Sequence, residues 1–162
     1  MRKPITTSAY TFENTISGNY LYVDKTDYFH KLIMEPNGIF FLSRPRRFGK
    51  SLSVSILKNI FKGNKDLFKG LKISHDESYD RHINKYDVLK INMQEFLSVT
   101  HSVDDMLKML CEYITDDFSI ECKDIIFRDK SNIVRVMQDV FMSTGRPFVI
   151  LIDEWDCLFR EF

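Results

Sequence analysis

The sequence predicts an α/β fold built on a parallel sheet. Three strand-length runs, at 39–42, 88–93 and 148–152, are separated by amphipathic helical patterns, and the first and last are continuously apolar. Apolar runs of that length suit strands covered on both faces, whereas the intervening segments place apolar residues at helical spacing. Strands that alternate with helices imply right-handed parallel crossovers.

Residues 1–20 show no periodicity and read as an irregular or partly extended arm. Asp24 is placed to cap a helix running to about Met34, with Tyr28, Phe29, Leu32 and Ile33 on one face. Pro36-Asn37-Gly38 forces a turn, so residues 1–37 form an arm and helix leading into a core at 38–162. After the first strand comes a glycine- and arginine-bearing loop. A helix over Lys50–Lys62 follows, burying Leu52, Ile56, Leu57 and Ile60 and ending near Gly63. Residues 64–87 are polar and interrupted, and are expected to pack loosely through Leu67, Phe68, Leu71 and Ile73.

Beyond the second strand, Ser102-x-x-Asp105 forms a capping box for a helix that turns Val103, Met106, Leu107, Leu110, Ile114 and Phe118 inward. Ser131 is expected to cap another helix, bearing Ile133, Val136, Met137, Val140 and Phe141, which Gly145 and Pro147 close. The third strand then ends abruptly in Asp153-Glu154-Trp155-Asp156.

At 162 residues the chain can bury one substantial core. Lys plus Arg equals Asp plus Glu at 23 each, so no global charge draws it to nucleic acid or membrane. Lysines and aromatics are not interleaved as in a stacking platform for single strands, so no direct nucleic-acid site is expected. The three cysteines lack CxxC spacing and the four histidines form no HExxH, which argues against zinc and fits a reduced, cytoplasmic compartment. The N-terminal stretch has no apolar core like that of a signal peptide, and no apolar run approaches membrane-spanning length.

The chemistry concentrates in two places. Residues 44–51 read Arg-Pro-Arg-Arg-Phe-Gly-Lys-Ser, between a strand and a helix, where backbone N–H groups and the helix N-terminus favour phosphate. The pattern is GxxxxGK[ST] with Arg44 in place of the first glycine. Because Pro45 also lacks an N–H, the donors are expected from Arg46 onward, through Arg47, Phe48, Gly49, Lys50, Ser51 and Leu52. Lys50 would reach the β- and γ-phosphates, and the Ser51 hydroxyl would ligate magnesium. About one hundred residues downstream, the apolar strand delivers Asp153 as a second metal partner and Glu154 as the group that polarises an attacking water. Either element alone could be a solvated basic turn or a charged strand end. Together, at the carboxyl ends of parallel strands, they stand where open α/β sheets bind ligands.

These residues resemble those of the bacterial AAA-ATPase-like family. The similarity rests on Tyr22-Val23-Asp24-Lys25-Thr26, on the run Phe41 to Leu52 containing Ser-Arg-Pro-Arg-Arg-Phe-Gly-Lys-Ser, and on Ile152-Asp153-Glu154-Trp155-Asp156. In that family the arginine at the position of Arg44 is the usual residue. The Tyr22–Thr26 lead-in would either border the nucleotide or serve as a helix cap with core tyrosines. The resemblance implies a P-loop NTPase three-layer sandwich, with ATP as substrate and Mg2+ as cofactor, and Glu154 and Lys50 as the catalytic pair. It implies a sheet ordered 5-1-4-3-2, of which this chain, ending just after the Walker B strand, would lack the C-terminal strands and the sensor they carry. A C-terminal domain or partner chain would then complete the sheet. Family members commonly continue into a restriction-nuclease-like domain, but no nuclease motif is visible here. The expected activity is Mg-ATP binding with slow hydrolysis; the alternative is a non-hydrolysing, nucleotide-responsive module or an inactive fragment.

Overall fold

The computed structural model describes residues 3–6, 11–35, 38–43, 47–157 and 159. The chain separates into two compact units, Met1–Val88 and Leu89–Phe162.

The first unit is helical. Helix α1 (Phe12–Ser17) lies within the predicted arm, with Thr11 as its cap: the Thr11 hydroxyl accepts from Asn14 N at 3.2 Å. Its lack of periodicity hid an anchor, since Phe12 is fully buried, stacked on Phe68 at 4.9 Å and edge-on to Tyr22 at 5.3 Å. Helix α2 (Thr26–Met34) buries Thr26, Phe29 and Ile33 and leaves Tyr28 exposed. Helix α3 (Lys50–Lys62) matches the predicted bounds and ends at Gly63, whose φ of 82° is a left-handed conformation that glycine adopts cheaply. Its Ile56, Leu57 and Ile60 are buried as expected, while Leu52 is only half-buried.

A polar contact fixes α1 on α3. The Ser55 hydroxyl accepts from Phe12 N at 2.9 Å and donates to Glu13 Oε2 at 2.8 Å, with Asn59 buried one turn further on. Burial would raise the Glu13 pKa, but hydrogen bonds from Asn59, its own backbone and Ser55 outweigh it and hold the carboxyl below its ordinary value.

Residues 64–87 do not pack loosely. Two short 3-10 turns, Lys65–Phe68 and Lys72–His75, place Phe68 and Ile73 at essentially zero exposure, and helix α4 (Tyr79–His82) buries Tyr79. Asp24 explains how this segment is held. Its Oδ1 accepts from Thr26 N at 2.9 Å and from Thr26 Oγ1 at 2.7 Å, and its Oδ2 accepts from Lys72 N at 2.7 Å. Thr26 Oγ1 in turn accepts from Ile73 N at 3.1 Å. The sequence places Asp24 as the cap of α2, but the cap position falls on Lys25, whose side chain makes no capping bond. From one residue further out, Asp24 takes the N–H of Thr26 and ties the helix to a segment 48 residues away.

The first predicted strand does not form. Residues 38–43 carry no regular secondary structure, Ile39 is wholly exposed, and Phe40 and Phe41 are 47% and 63% exposed. Among the described residues no strand pairs with this run, and an extended segment without a ladder has nothing to bury its side chains against. The turn expected at Pro36-Asn37 lies outside the described residues.

The second unit is a mixed α/β assembly. Strands β1 (Asp87–Asn92) and β2 (Phe148–Asp153) form a two-stranded parallel sheet. The crossover consists of α5 (Met93–Leu97), α6 (Val103–Glu121) and α7 (Ile133–Thr144). Asn92 caps α5 through Gln94 N. Ser102 caps α6, accepting from Asp105 N at 3.1 Å while donating to Asp105 Oδ2 at 2.7 Å. Met106, Ile114 and Phe118 face inward as expected, but Val103 and Leu107 are exposed. The cap of α7 is Asn132 rather than Ser131: Asn132 Oδ1 accepts from Val134 N and Arg135 N, and Ser131 is occupied with Asp129. Val136 and Val140 are fully buried, whereas Phe141 is 48% exposed.

Leu89 and Ile91 of β1 pack into a core with Phe118, Val136 and Cys157, Phe148 of β2 packs against that core, and Leu151 of β2 is also buried. The alternate residues Ile150 and Ile152 are 49% and 48% exposed. A strand expected to be covered on both faces is thus covered on one, because within the second unit the described helices lie against only that side. Asp139, on the buried side of α7, accepts from Arg128 N at 2.9 Å and from the Arg128 side chain at 2.6 Å. This closes the connection between α6 and α7. Among the described residues no helix is long and apolar enough to cross a membrane.

Candidate functional site

The loop residues that the sequence singles out belong to the first unit and the acidic pair to the second. Arg44, Pro45 and Arg46 lie outside the described residues.

From Arg47 onward the loop leads straight into α3. Gly49 caps the helix in a left-handed conformation, φ 76° and ψ 29°. An added Cβ would meet only Leu52 Cβ at 4.0 Å, so this position requires glycine for its backbone angle rather than for space. A left-handed residue followed by helix turns successive N–H groups to one side, the arrangement that favours anions. Lys50 and Ser51 fill the first turn, half-buried, as does Leu52; Arg47 and Phe48 are exposed. The Gly49 carbonyl is fully used, accepting from Ser53 N at 2.9 Å and from Ser53 Oγ at 2.8 Å. Those two bonds lock the loop's last residue to the helix.

At the other element, β2 carries Asp153 at its carboxyl end, only 5% exposed. Its Oδ1 accepts from Glu154 N at 3.0 Å. The chain then turns through Glu154 at φ 52° into the 3-10 segment Trp155–Cys157, with Cys157 N bonded to the Glu154 carbonyl at 3.1 Å.

One backbone feature links the two elements. Among the described residues, four non-glycine positions have positive φ: Asn19, Asn84, Arg47 and Glu154. Asparagine enters this region readily, whereas arginine and glutamate do so at a cost of about 1–2 kcal/mol. The two strained residues thus fall one in each motif. No periodicity in the sequence signals such strain; only the structure exposes it. Conversely, Asp24 and Thr26 of the lead-in are spent on tethering the start of α2 to Lys72 and Ile73.

Hard oxygen ligands such as a hydroxyl and a carboxylate suit magnesium, which keeps most of its waters and takes one or two protein ligands beside substrate phosphate. The Ser51 hydroxyl, in the first unit, and the Asp153 carboxylate, in the second, are each a donor of that type.

The two units define a mixed α/β chain in which Gly49 opens α3. The chain belongs to the predicted AAA-ATPase family, whose model matches residues 4–161. It is also similar to an uncharacterized protein in the vnfD 5'region of Azotobacter chroococcum mcd 1, with 32% identity over 159 residues. That similarity covers 96% of this chain and 29% of the relative, so the chain spans less than a third of the relative's length. No solved structure gives a significant match.

Proposed function

We propose that this chain binds Mg-ATP through Arg46, Arg47, Phe48, Gly49, Lys50, Ser51 and Leu52, with Ser51 and Asp153 as magnesium ligands, and hydrolyses it slowly. The observation that carries the reading is the placement of backbone strain. Arg47 and Glu154 hold left-handed conformations in the two motifs, and strain of this kind clusters at ligand clamps and active sites.

In this reading the loop amides and the Lys50 ammonium hold the triphosphate and stabilise the charge that builds on it during transfer. Magnesium, when bound, neutralises charge on the β- and γ-phosphates. The Glu154 carboxylate orients a water in line with the γ-phosphate and takes its proton. Asp153 is held by the amide of Glu154, so its carboxylate is aimed before any ligand arrives. A P-loop sandwich sheet fits the same reading: the exposed Ile39, Phe40 and Phe41 and the exposed Ile150 and Ile152 are residues that the covered sheet of such a sandwich would bury beneath a further layer.

Those exposed faces also support a second reading, in which the chain binds nucleotide without turnover until a further domain or partner chain completes the sheet. Purified Glu154→Gln protein tests the division of roles. Its ATP affinity is expected to stay within about threefold of the parent while phosphate release falls at least about 100-fold. Unchanged phosphate release would remove Glu154 from the mechanism; no release from the parent, with ATP still bound, would select the second reading.

A further inference from the structure

We propose that the cavity beside α2 seats the base of the bound nucleotide, with Tyr28 as its stacking surface and Lys25 and Lys31 as donors at its edge. This rests on the reading of the chain as an ATP-binding domain.

The cavity has a volume of about 380 Å³ and is lined by Lys25, Tyr28, Phe29, Lys31, Leu32 and Leu42. Small-molecule sites begin at about 300 Å³, and they typically combine apolar and aromatic walls with a few polar groups. Among the described lining residues, four are aromatic or aliphatic, the two charged ones both carry ammonium groups, and none is acidic. Such a lining selects a flat, acceptor-rich ring. Ring nitrogens and carbonyl oxygens accept from lysine, and any nucleobase presents a face to an aromatic side chain.

The local structure explains why these side chains reach the cavity. Asp24 and Thr26 tie the start of α2 to Lys72 and Ile73, and Phe29 and Ile33 bury its inner face. Lys25 is left between the two tethering residues with no ion pair among the described residues. Tyr28 lies three residues on, and Lys31 and Leu32 follow it at the spacing that places side chains together on a helix. Tyr28 is 63% exposed, with the Lys31 ammonium 5.7 Å from its ring centroid. Such an exposed cation–ring contact is weak, so a heterocycle can replace it. The cavity also belongs to the same unit as the phosphate loop, and Leu42 stands on the run that leads into that loop.

Calorimetric titration with ATP and with inorganic tripolyphosphate, both with magnesium, tests this in the parent protein, Tyr28→Ala and Tyr28→Phe. The parent is expected to bind ATP at least about tenfold tighter than tripolyphosphate. Tyr28→Ala should weaken ATP about tenfold without changing tripolyphosphate, and Tyr28→Phe should behave as the parent, because stacking needs the ring and not the hydroxyl. Equal parent affinities for the two ligands would overturn the base site and leave the phosphate loop standing. So would a Tyr28→Ala loss shared equally by both ligands, or no loss at all. Failure of the parent to bind either ligand would overturn the ATP-binding reading, and the base site with it.

Discussion

Replacing Phe12 with alanine should damage the first unit far more than its place in an apparently irregular arm suggests. The ring is fully buried, stacked on Phe68 at 4.9 Å and edge-on to Tyr22 at 5.3 Å. Transfer of the ring to water accounts for about 1.5–3 kcal/mol. The lost ring pairs add about 0.5–1.5 kcal/mol, and the cavity left behind adds more. The total, about 3–5 kcal/mol, is the range found for such truncations and a large share of a typical domain's stability. Hydrogen exchange of peptides from α3 and from the 65–75 segment reads it directly. Amides that exchange through opening of this unit should speed up by a factor of about 10²–10⁴. A loss below about 1 kcal/mol would refute the assignment of α1 to the core, and the Ser55 contact would then be incidental.

Other consequences are equally direct. Burial alone would raise the Asp24 pKa, but hydrogen bonds from Thr26 and Lys72 outweigh it and hold the carboxyl below its ordinary value. Its contribution to stability is therefore full above the unfolded carboxylate pKa, about 3.9, and is lost as pH falls through the lowered folded value. Melting temperature followed from pH 7 to pH 2 should show an acid decline that Asp24→Asn flattens, and an identical pH slope would contradict it. Gly63→Ala should cost more than Gly145→Ala. Both glycines are left-handed, but an added Cβ meets Ile83 Cγ2 at 2.7 Å in the first and nothing within 4 Å in the second. Urea midpoints should place the Gly145 variant about 1–2 kcal/mol down and the Gly63 variant lower still. Arg128→Lys should loosen the connection before α7, since lysine lacks the fork that engages Asp139, and faster hydrogen exchange at residues 123–132 would report it.

Much of this was legible in the sequence because it follows from local rules. Helix α3 was bracketed by Lys50 and Gly63, α6 by the Ser102–Asp105 box, and β2 by its apolar run and acidic end. The departures have physical causes of two kinds. At α7 two adjacent residues could cap, and Asp129 claims the Ser131 hydroxyl, which leaves Asn132 for the helix. At 39–42 and on the outer face of β2, an apolar run implies burial only where another layer covers it, and neighbours are not encoded in the run itself. Helix α1 was hidden because one aromatic anchor and a backbone–serine bond hold it, and neither leaves a period. For the candidate site, residue types and spacing supplied the two motifs, whereas the strain at Arg47 and Glu154 is a property of the folded backbone.

Everything proposed for this chain depends on the Gly49–Ser51 turn being a working phosphate site. Calorimetric titration of the purified protein with ATP, with and without magnesium, tests it most directly when Lys50→Ala is run beside it. Magnesium-dependent binding is expected in the parent, and it should disappear in Lys50→Ala while the variant's melting temperature is unchanged. Well-folded parent protein that binds no ATP, or a Lys50→Ala variant that binds as the parent does, would contradict it.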